Sequence, residues 1–421
     1  MMPKASGRLP ILALTVAMTL VVAACSSEGT ATLEPAPEAA IATEPTSAPQ
    51  PTPVETTRAT QPTPVETTTA LEEPLVSEAA PQAPARAPVI AEGLLPLPPQ
   101  PDRIPFPTAL WPEGTLPANV DADALAELMA EAFEGDQFRI IEAAVVIHGG
   151  ELVFESYGNG YDGETPHPSW SVAKSVAHAL LGVLTGEGRI NVMAPAPVSA
   201  WQSAGDPRAA ITPDMLARMS SGLQWNEGGD VLSLVFSSDA NVASSFQIER
   251  ELVSELDTTF NYSTGSTAVN GKIMADIVGT GDEFEVWAKE KLFDPLGIRS
   301  VELEFDVDGN WIAGFGANMT ARDFARLGLL YLRDGMWDGT RILPEGWVDY
   351  ARTPSGTSDG YGSGFWLDSY TEGGFSAEGF GGQKVIVVPD HDLVVVILAN
   401  NVAPAPTNAF ANQLIDLFTG R

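Results

Sequence analysis

His167-Pro168-Ser169-Trp170-Ser171-Val172-Ala173-Lys174-Ser175 is the most informative segment of this 421-residue chain. It opens a run, Ser171 to Leu184, in which apolar residues recur at helical spacing and which ends at Gly186 and Gly188. At a helix start, a serine and a lysine three residues on share one face, about one turn apart. The helix N-terminus presents unpaired N–H groups and a partial positive charge, both suited to a developing oxyanion. A serine hydroxyl becomes a good nucleophile when a neighbouring base takes its proton. A lysine can be that base only if burial or nearby positive charge lowers its pKa. Ser171 and Lys174 are therefore the candidate nucleophile and its proton-handling partner.

Before this segment, Glu142 to Ile147 and Glu151 to Ser156 are β-rich runs around a His148-Gly149-Gly150 turn, which predicts a hairpin. After it, Thr212-Pro213-Asp214 caps a helix that stops at Ser220-Ser221-Gly222. Further helices are expected at Thr267 to Val278, Glu283 to Leu292 and Ala321 to Arg333. The chain then returns to strands at Gly364 to Asp368, Gln383 to Val388 and Leu393 to Ala399, and closes with a helix over Asn408 to Phe418. Two strands, a helical middle, then more strands and a last helix describe an α/β (α+β) fold. Its antiparallel sheet joins the two ends of the chain and is flanked by helices, and a mostly helical insertion makes a second lobe. The cleft between lobes is where chemistry is expected.

Several segments resemble the class C beta-lactamase-related serine hydrolases of the penicillin-recognising fold, and in particular their 6-aminohexanoate-dimer hydrolase and esterase branch. The nucleophile segment is one of them. Others are Ile211-Thr212-Pro213 through Met219-Ser220-Ser221-Gly222-Leu223, Phe293-Asp294-Pro295-Leu296-Gly297-Ile298, and Thr320-Ala321-Arg322-Asp323-Phe324-Ala325-Arg326-Leu327-Gly328. The resemblance runs from about Ala143 to Leu417 and implies a beta-lactamase/transpeptidase-like fold. It implies that Tyr262, in Phe260-Asn261-Tyr262-Ser263-Thr264, is the base that relays the serine proton. Lys174 would stay charged beside it and favour its phenolate. Thr264 departs from the common Asn or Ser, so its substrate-facing hydrogen bond is altered. Phe380-Gly381-Gly382-Gln383 stands where such enzymes carry Lys-Thr-Gly plus one residue. The resemblance therefore implies an oxyanion hole from the N–H groups of Gln383 and Ser171, with Gly382 and Trp170 lining the substrate.

Phe380 in place of the Lys-Thr-Gly lysine removes a cation that would hold an antibiotic's carboxylate, and Lys384 lies beyond the oxyanion donor. The formal net charge of −33 also repels anions, nucleic acid included. The expected substrate is a small neutral or cationic ester or amide, cleaved through an acyl-enzyme on Ser171. The alternatives are a beta-lactamase or D-amino-acid peptidase, and a surface-tethered binding protein of the same fold that has lost turnover. A Ser-His-Asp hydrolase lacks its G-x-S-x-G elbow here. The histidines are scattered, and His178, one turn beyond Lys174, reads as a core residue. No metal-ligand spacing is present and no cofactor is expected.

The N-terminal part has a different logic. Lys4 and Arg8 precede an apolar run of about fourteen residues, Leu9 to Val22, which is short for a membrane span. Val22-Ala23-Ala24-Cys25 is similar to a bacterial lipobox, and Cys25 is the only cysteine. The expectation is a signal peptide over 1–24, lipidation at Cys25, and a domain held outside the cytoplasm on the bacterial cell envelope. Residues 25–103 are dominated by Pro, Thr, Ala and Glu, with QPTPVETT at Gln50 to Thr57 and again at Gln61 to Thr68. They read as a disordered stalk that would reach on the order of 50 Å. The hydrolase domain is expected over 104–421.

Overall fold

The computed structural model describes residues 88–135, 138, 140–236, 243–400 and 404–421. The signal peptide, Cys25 and the repeat lie outside the described residues. A six-stranded antiparallel sheet organises the rest. Its strands are β1 (Ile141–His148), β2 (Glu151–Tyr157), β3 (Trp366–Leu367), β4 (Phe375–Gly379), β5 (Gln383–Val388) and β6 (Leu393–Ala399), in the order β2-β1-β6-β5-β4-β3. The first and last strands in sequence meet at its centre, where Val145 pairs with Val396. β6 (LVVVILA) is apolar throughout because both faces of the sheet are covered.

One face carries α1 (Ala122–Phe133) and α7 (Pro404–Thr419), whose Leu128, Phe410, Leu414 and Phe418 pack on Val146, Ile386, Val395 and Ile397. The other carries α2 (Ala173–Gly186) and α6 (Ala321–Leu332), with Val176, Leu180 and Phe324 against Val145, Val385, Val387 and Val396. Each valine so buried contributes roughly 1.5–3 kcal/mol. Gly328 lets α6 approach the sheet, since a Cβ there would lie 2.6 Å from a Val394 methyl. The insertion has its own core of Trp201, Ile211, Leu216, Leu223, Ile248, Val269 and Ile273. It contains α3 (Pro213–Ala217), α4 (Glu227–Phe236) and α5 (Thr264–Val278).

The structure extends the sequence expectations in three places. The helix expected from Thr267 starts at Thr264, because Ser263 caps it and accepts the Ser266 N–H at 2.9 Å. Phe375–Gly379 is a strand that periodicity did not reveal, being short and poor in β-branched residues. The folded part also begins before residue 104. Ala91 N–H bonds Thr353 Oγ1 at 3.0 Å, and Arg333 holds Gln100 Oε1 at 2.9 Å and Pro98 O at 3.2 Å. The stalk boundary at residue 103 is corrected accordingly.

Candidate active site

Ser171 sits in a tight 3₁₀ turn, Trp170–Val172, that runs directly into α2. Trp170 has φ +44°, a left-handed conformation that costs a non-glycine residue about 1–2 kcal/mol. The surroundings enforce it. Ser169 is buried, donates from Oγ to Phe315 O at 2.8 Å, accepts the Ala317 N–H at 3.0 Å, and gives its own N–H to Asn318 Oδ1 at 3.0 Å.

Lys174 lies beneath the serine, with Nζ 2.8 Å from Ser171 Oγ. Its other partners are Thr264 Oγ1 at 2.9 Å and Gly314 O at 3.1 Å, and the ring of Tyr262 has its centroid 4.8 Å away. The residue is 3% exposed. Burial pulls its pKa down to about 8, against the nearby Glu227 charge, which pulls it up. Tyr262 packs its ring on Trp366, centroids 5.3 Å apart, and edge-on to Tyr361. Burial raises its phenol well above 10, Tyr361, Glu227 and Glu378 push the same way, and only the hydrogen bond with Ser171 acts in the other direction.

These directions run against the expected pairing of a charged lysine with a phenolate: burial favours the neutral amine at Lys174 and the protonated phenol at Tyr262.

Thr264 does not face the substrate as expected. It is 1% exposed, and its hydroxyl is used twice, accepting from Lys174 and donating to Glu227 Oε1 at 2.5 Å. Glu227, the first residue of α4, also accepts the Thr264 N–H at 2.8 Å and the Trp225 Nε1–H at 2.5 Å. Sequence reasoning missed Glu227, because nothing in Trp225-Asn226-Glu227 announces a carboxylate that folds back onto a threonine 37 residues later.

Of the two expected oxyanion donors, the Ser171 N–H lies in the turn before α2 and the Gln383 N–H at the start of β5. Gln383 begins the interior strand β5, and its side chain staples β6, donating to Ala399 O at 2.7 Å and accepting the Ala399 N–H at 3.3 Å. Gly382 backs onto α7, where a Cβ would lie 2.6 Å from Thr407 Oγ1. Phe380-Gly381-Gly382 is the turn between β4 and β5. The backbone that abuts the nucleophile turn is the end of β4. A Cβ on Gly379 would stand 2.6 Å from Ser169 O and 3.2 Å from Trp170 Cβ. The Phe380 ring meets Trp170 edge-on at 5.4 Å. The missed signal is a glycine one residue ahead of the quoted triplet.

Lys384 faces away from Ser171. It lies on the strand face shared with Ile386 and Val388 and pairs with Glu378 at 2.8 Å. His178 is a buried core residue among Trp347, Tyr350 and Phe365, and burial lowers its pKa to about 3, so it stays neutral. Among the described residues, no group of three or more His, Cys, Asp or Glu could hold a metal ion.

An antiparallel sheet closed by both chain ends, a helical lobe, and a serine–lysine pair with a tyrosine at their junction define a serine hydrolase of beta-lactamase/transpeptidase-like architecture. The chain belongs to the Beta-lactamase family, whose model matches residues 123–419. It is 26% identical over 310 residues to a 6-aminohexanoate-dimer hydrolase of Paenarthrobacter ureafaciens, covering 67% of this chain and 78% of that one. Among solved structures, it superposes on a putative 6-aminohexanoate-dimer hydrolase from Bacillus anthracis with a TM-score of 0.62. Identity there is 24%, and 78% of this chain and 90% of the other are covered. EstA from Arthrobacter nitroguajacolicus gives 0.57 at 14% identity, covering 73% and 98%. At these identities, the superpositions speak for the fold.

Proposed function

We propose that this protein hydrolyses an ester or amide bond of a small neutral or cationic substrate through an acyl-enzyme on Ser171. The observation that carries the reading is the 2.8 Å contact between Ser171 Oγ and a buried Lys174 whose pKa is lowered to about 8. In this mechanism the neutral fraction of Lys174 takes the serine proton as Oγ attacks the carbonyl carbon. The Ser171 N–H and the backbone N–H at the end of β4, at Phe380, meet the oxyanion. Tyr262 gives its proton to the departing oxygen or nitrogen and regains one from the serine–lysine pair. Water then attacks the ester carbonyl by the same route in reverse and frees Ser171.

The walls support the substrate class. Tyr262, Trp366, Tyr361 and Phe260 form one aromatic cluster, and Trp170 with Phe380 another. The carboxylate of Glu227 acts on Tyr262 from within the site, while Lys384 faces away from Ser171 and is paired with Glu378. A carboxylate-bearing substrate meets repulsion there, and an apolar or cationic one does not. The relative named for 6-aminohexanoate-dimer hydrolysis is consistent with an amide linking small units. We also propose that residues 1–24 are removed and that a lipidated Cys25 anchors the domain outside the cytoplasm, on the strength of the lipobox-like segment alone.

The experiment is turnover by the purified domain of p-nitrophenyl esters, short amides and a chromogenic cephalosporin, with Ser171→Ala beside the wild type. Esters or amides should be cleaved, the cephalosporin poorly, and Ser171→Ala should lose both turnover and fluorophosphonate labelling while remaining folded. An unaffected rate in Ser171→Ala would place the nucleophile elsewhere.

A further inference from the structure

The reacting side chains come from two neighbouring helices. α2 follows Ser171 and carries Lys174, and α5 starts at Thr264, two residues after Tyr262. Behind Lys174 the two helices do not close completely. A small cavity lined by Lys174, His178, Met219, Thr267, Asn270 and Gly364 leaves about 10 Å³ of room for the centre of a water-sized sphere. That is about what a single water molecule requires. Three of these side chains carry a buried polar atom with no protein partner: His178 Nε2, Thr267 Oγ1 and Asn270 Oδ1. The residues are 2%, 4% and 1% exposed.

His178 Nδ1 is engaged by Tyr331 Oη at 2.7 Å, and that oxygen lies 3.3 Å from Ser175 O. The imidazole, held neutral by burial, has Nε2 left over, a donor or an acceptor according to its tautomer. Asn270 Nδ2 donates to Pro213 O at 3.2 Å, which turns its carbonyl oxygen the other way as an acceptor. Thr267 Oγ1 carries a proton to give. The set asks for an occupant of minimal size that can both donate and accept, as buried polar groups without a protein partner do.

We propose that this cavity binds one water molecule, which hydrogen-bonds His178 Nε2, donates to Asn270 Oδ1, accepts from Thr267 Oγ1, and so ties α2 to α5 beneath the Ser171–Lys174 pair. It acts as a positioning ligand, since His178 is one turn from Lys174 on α2 and Thr267 is one turn from Thr264 on α5. The tie holds the same two helices that the 2.9 Å Lys174–Thr264 bond spans.

A high-resolution crystal structure of the wild type, with Thr267→Val and Thr267→Ser variants, tests this. An ordered oxygen should lie within hydrogen-bond distance of His178 Nε2 in the wild type and in Thr267→Ser, and be lost or displaced in Thr267→Val. Thr267→Val should lower Tm and reduce kcat on p-nitrophenyl acetate about tenfold with little change in KM, whereas Thr267→Ser should stay within about twofold on both. A cavity without density in the wild type overturns the site. A Thr267→Val variant that loses stability but keeps full kcat overturns the positioning role. The kinetic arm rests on Ser171 and Lys174 being the reacting pair, and the density arm does not, so failure of either is told apart.

Discussion

Replacing Glu227 by glutamine tests the charge balance at Lys174. The carboxylate accepts three hydrogen bonds, from Thr264 N and Oγ1 and from Trp225 Nε1. Lys174 Nζ is 2.9 Å from the same Thr264 Oγ1, which is 2.5 Å from Glu227 Oε1, so the two charges are at most about 5.4 Å apart. At an effective dielectric constant of ~20, unit charges at that separation interact by about 3 kcal/mol, or roughly two pKa units. Glu227 is partly exposed, and solvent screening trims this to about one to two units. The carboxylate opposes the effect of burial at Lys174, so removing it takes the lysine further below its present value of about 8. Activity needs the neutral amine, so kcat/KM rises with pH through that pKa, and the rising limb of Glu227→Gln should move to lower pH. Glutamine has a second effect. If its oxygen keeps the Thr264 and Trp225 N–H groups, its NH₂ faces Thr264 Oγ1, and that hydroxyl must turn its proton towards the lone pair of neutral Lys174. An occupied lone pair is a poorer base, and the plateau should fall about tenfold. Measuring kcat/KM on an activated ester from about pH 5 to 10 reads both effects. A limb that stays in place, or moves to higher pH, would refute neutral Lys174 as the base.

Tyr262→Phe should depend on the leaving group. Alkyl esters and amides, which need a proton, should lose on the order of 10²–10⁴-fold, while a p-nitrophenyl ester, measured in parallel, should lose less than about tenfold; equal losses would restore a basic role for the tyrosine. Gly379→Ala should cut kcat/KM at least about tenfold per folded molecule and lower Tm as well, because its Cβ presses on the Ser169 carbonyl and Trp170 Cβ. Gly382→Ala, whose Cβ meets Thr407, should instead lower Tm and spare turnover per folded molecule. Metabolic labelling with a palmitate analogue should mark the wild type and not Cys25→Ala; equal labelling removes the anchor.

Much of the fold was legible because its signals are local. β1, β2, β5 and β6 announce themselves by β-rich runs between turns, and α2 and α6 by helical periodicity and glycine stops. β4 was missed because Phe375-Ser376-Ala377-Glu378-Gly379 takes its strand state from pairing with β5, a tertiary effect that outweighs its weak propensity. The segment after residue 88 was missed for a related reason. Its prolines give no periodic pattern, yet their carbonyls can still accept, and Arg326 and Arg333 reach out to Pro107 and Pro98.

At the site, the legible part was the part held by short spacing. Ser171 and Lys174 are three residues apart at a helix start, so helix geometry alone puts them together. The remaining positions depend on long-range register or on burial. The proposed oxyanion donor at Phe380 lies three residues before Gln383, since a glycine-rich string gives no sign of where the strand ends and the turn begins. Only the contact of Gly379 with Ser169 fixes it. A net charge of −33 bears on the protonation of Lys174 only if the protein is treated as a uniform field. Acidic residues on a solvated surface are screened within about 8–10 Å. At Lys174, desolvation is the larger influence and the single nearby carboxylate the smaller. The chemistry of the pair is therefore set by how completely α2 and α5 enclose one ammonium group. Composition cannot express that, and Thr264 and Glu227, 37 residues apart in sequence, reveal it only once folded together.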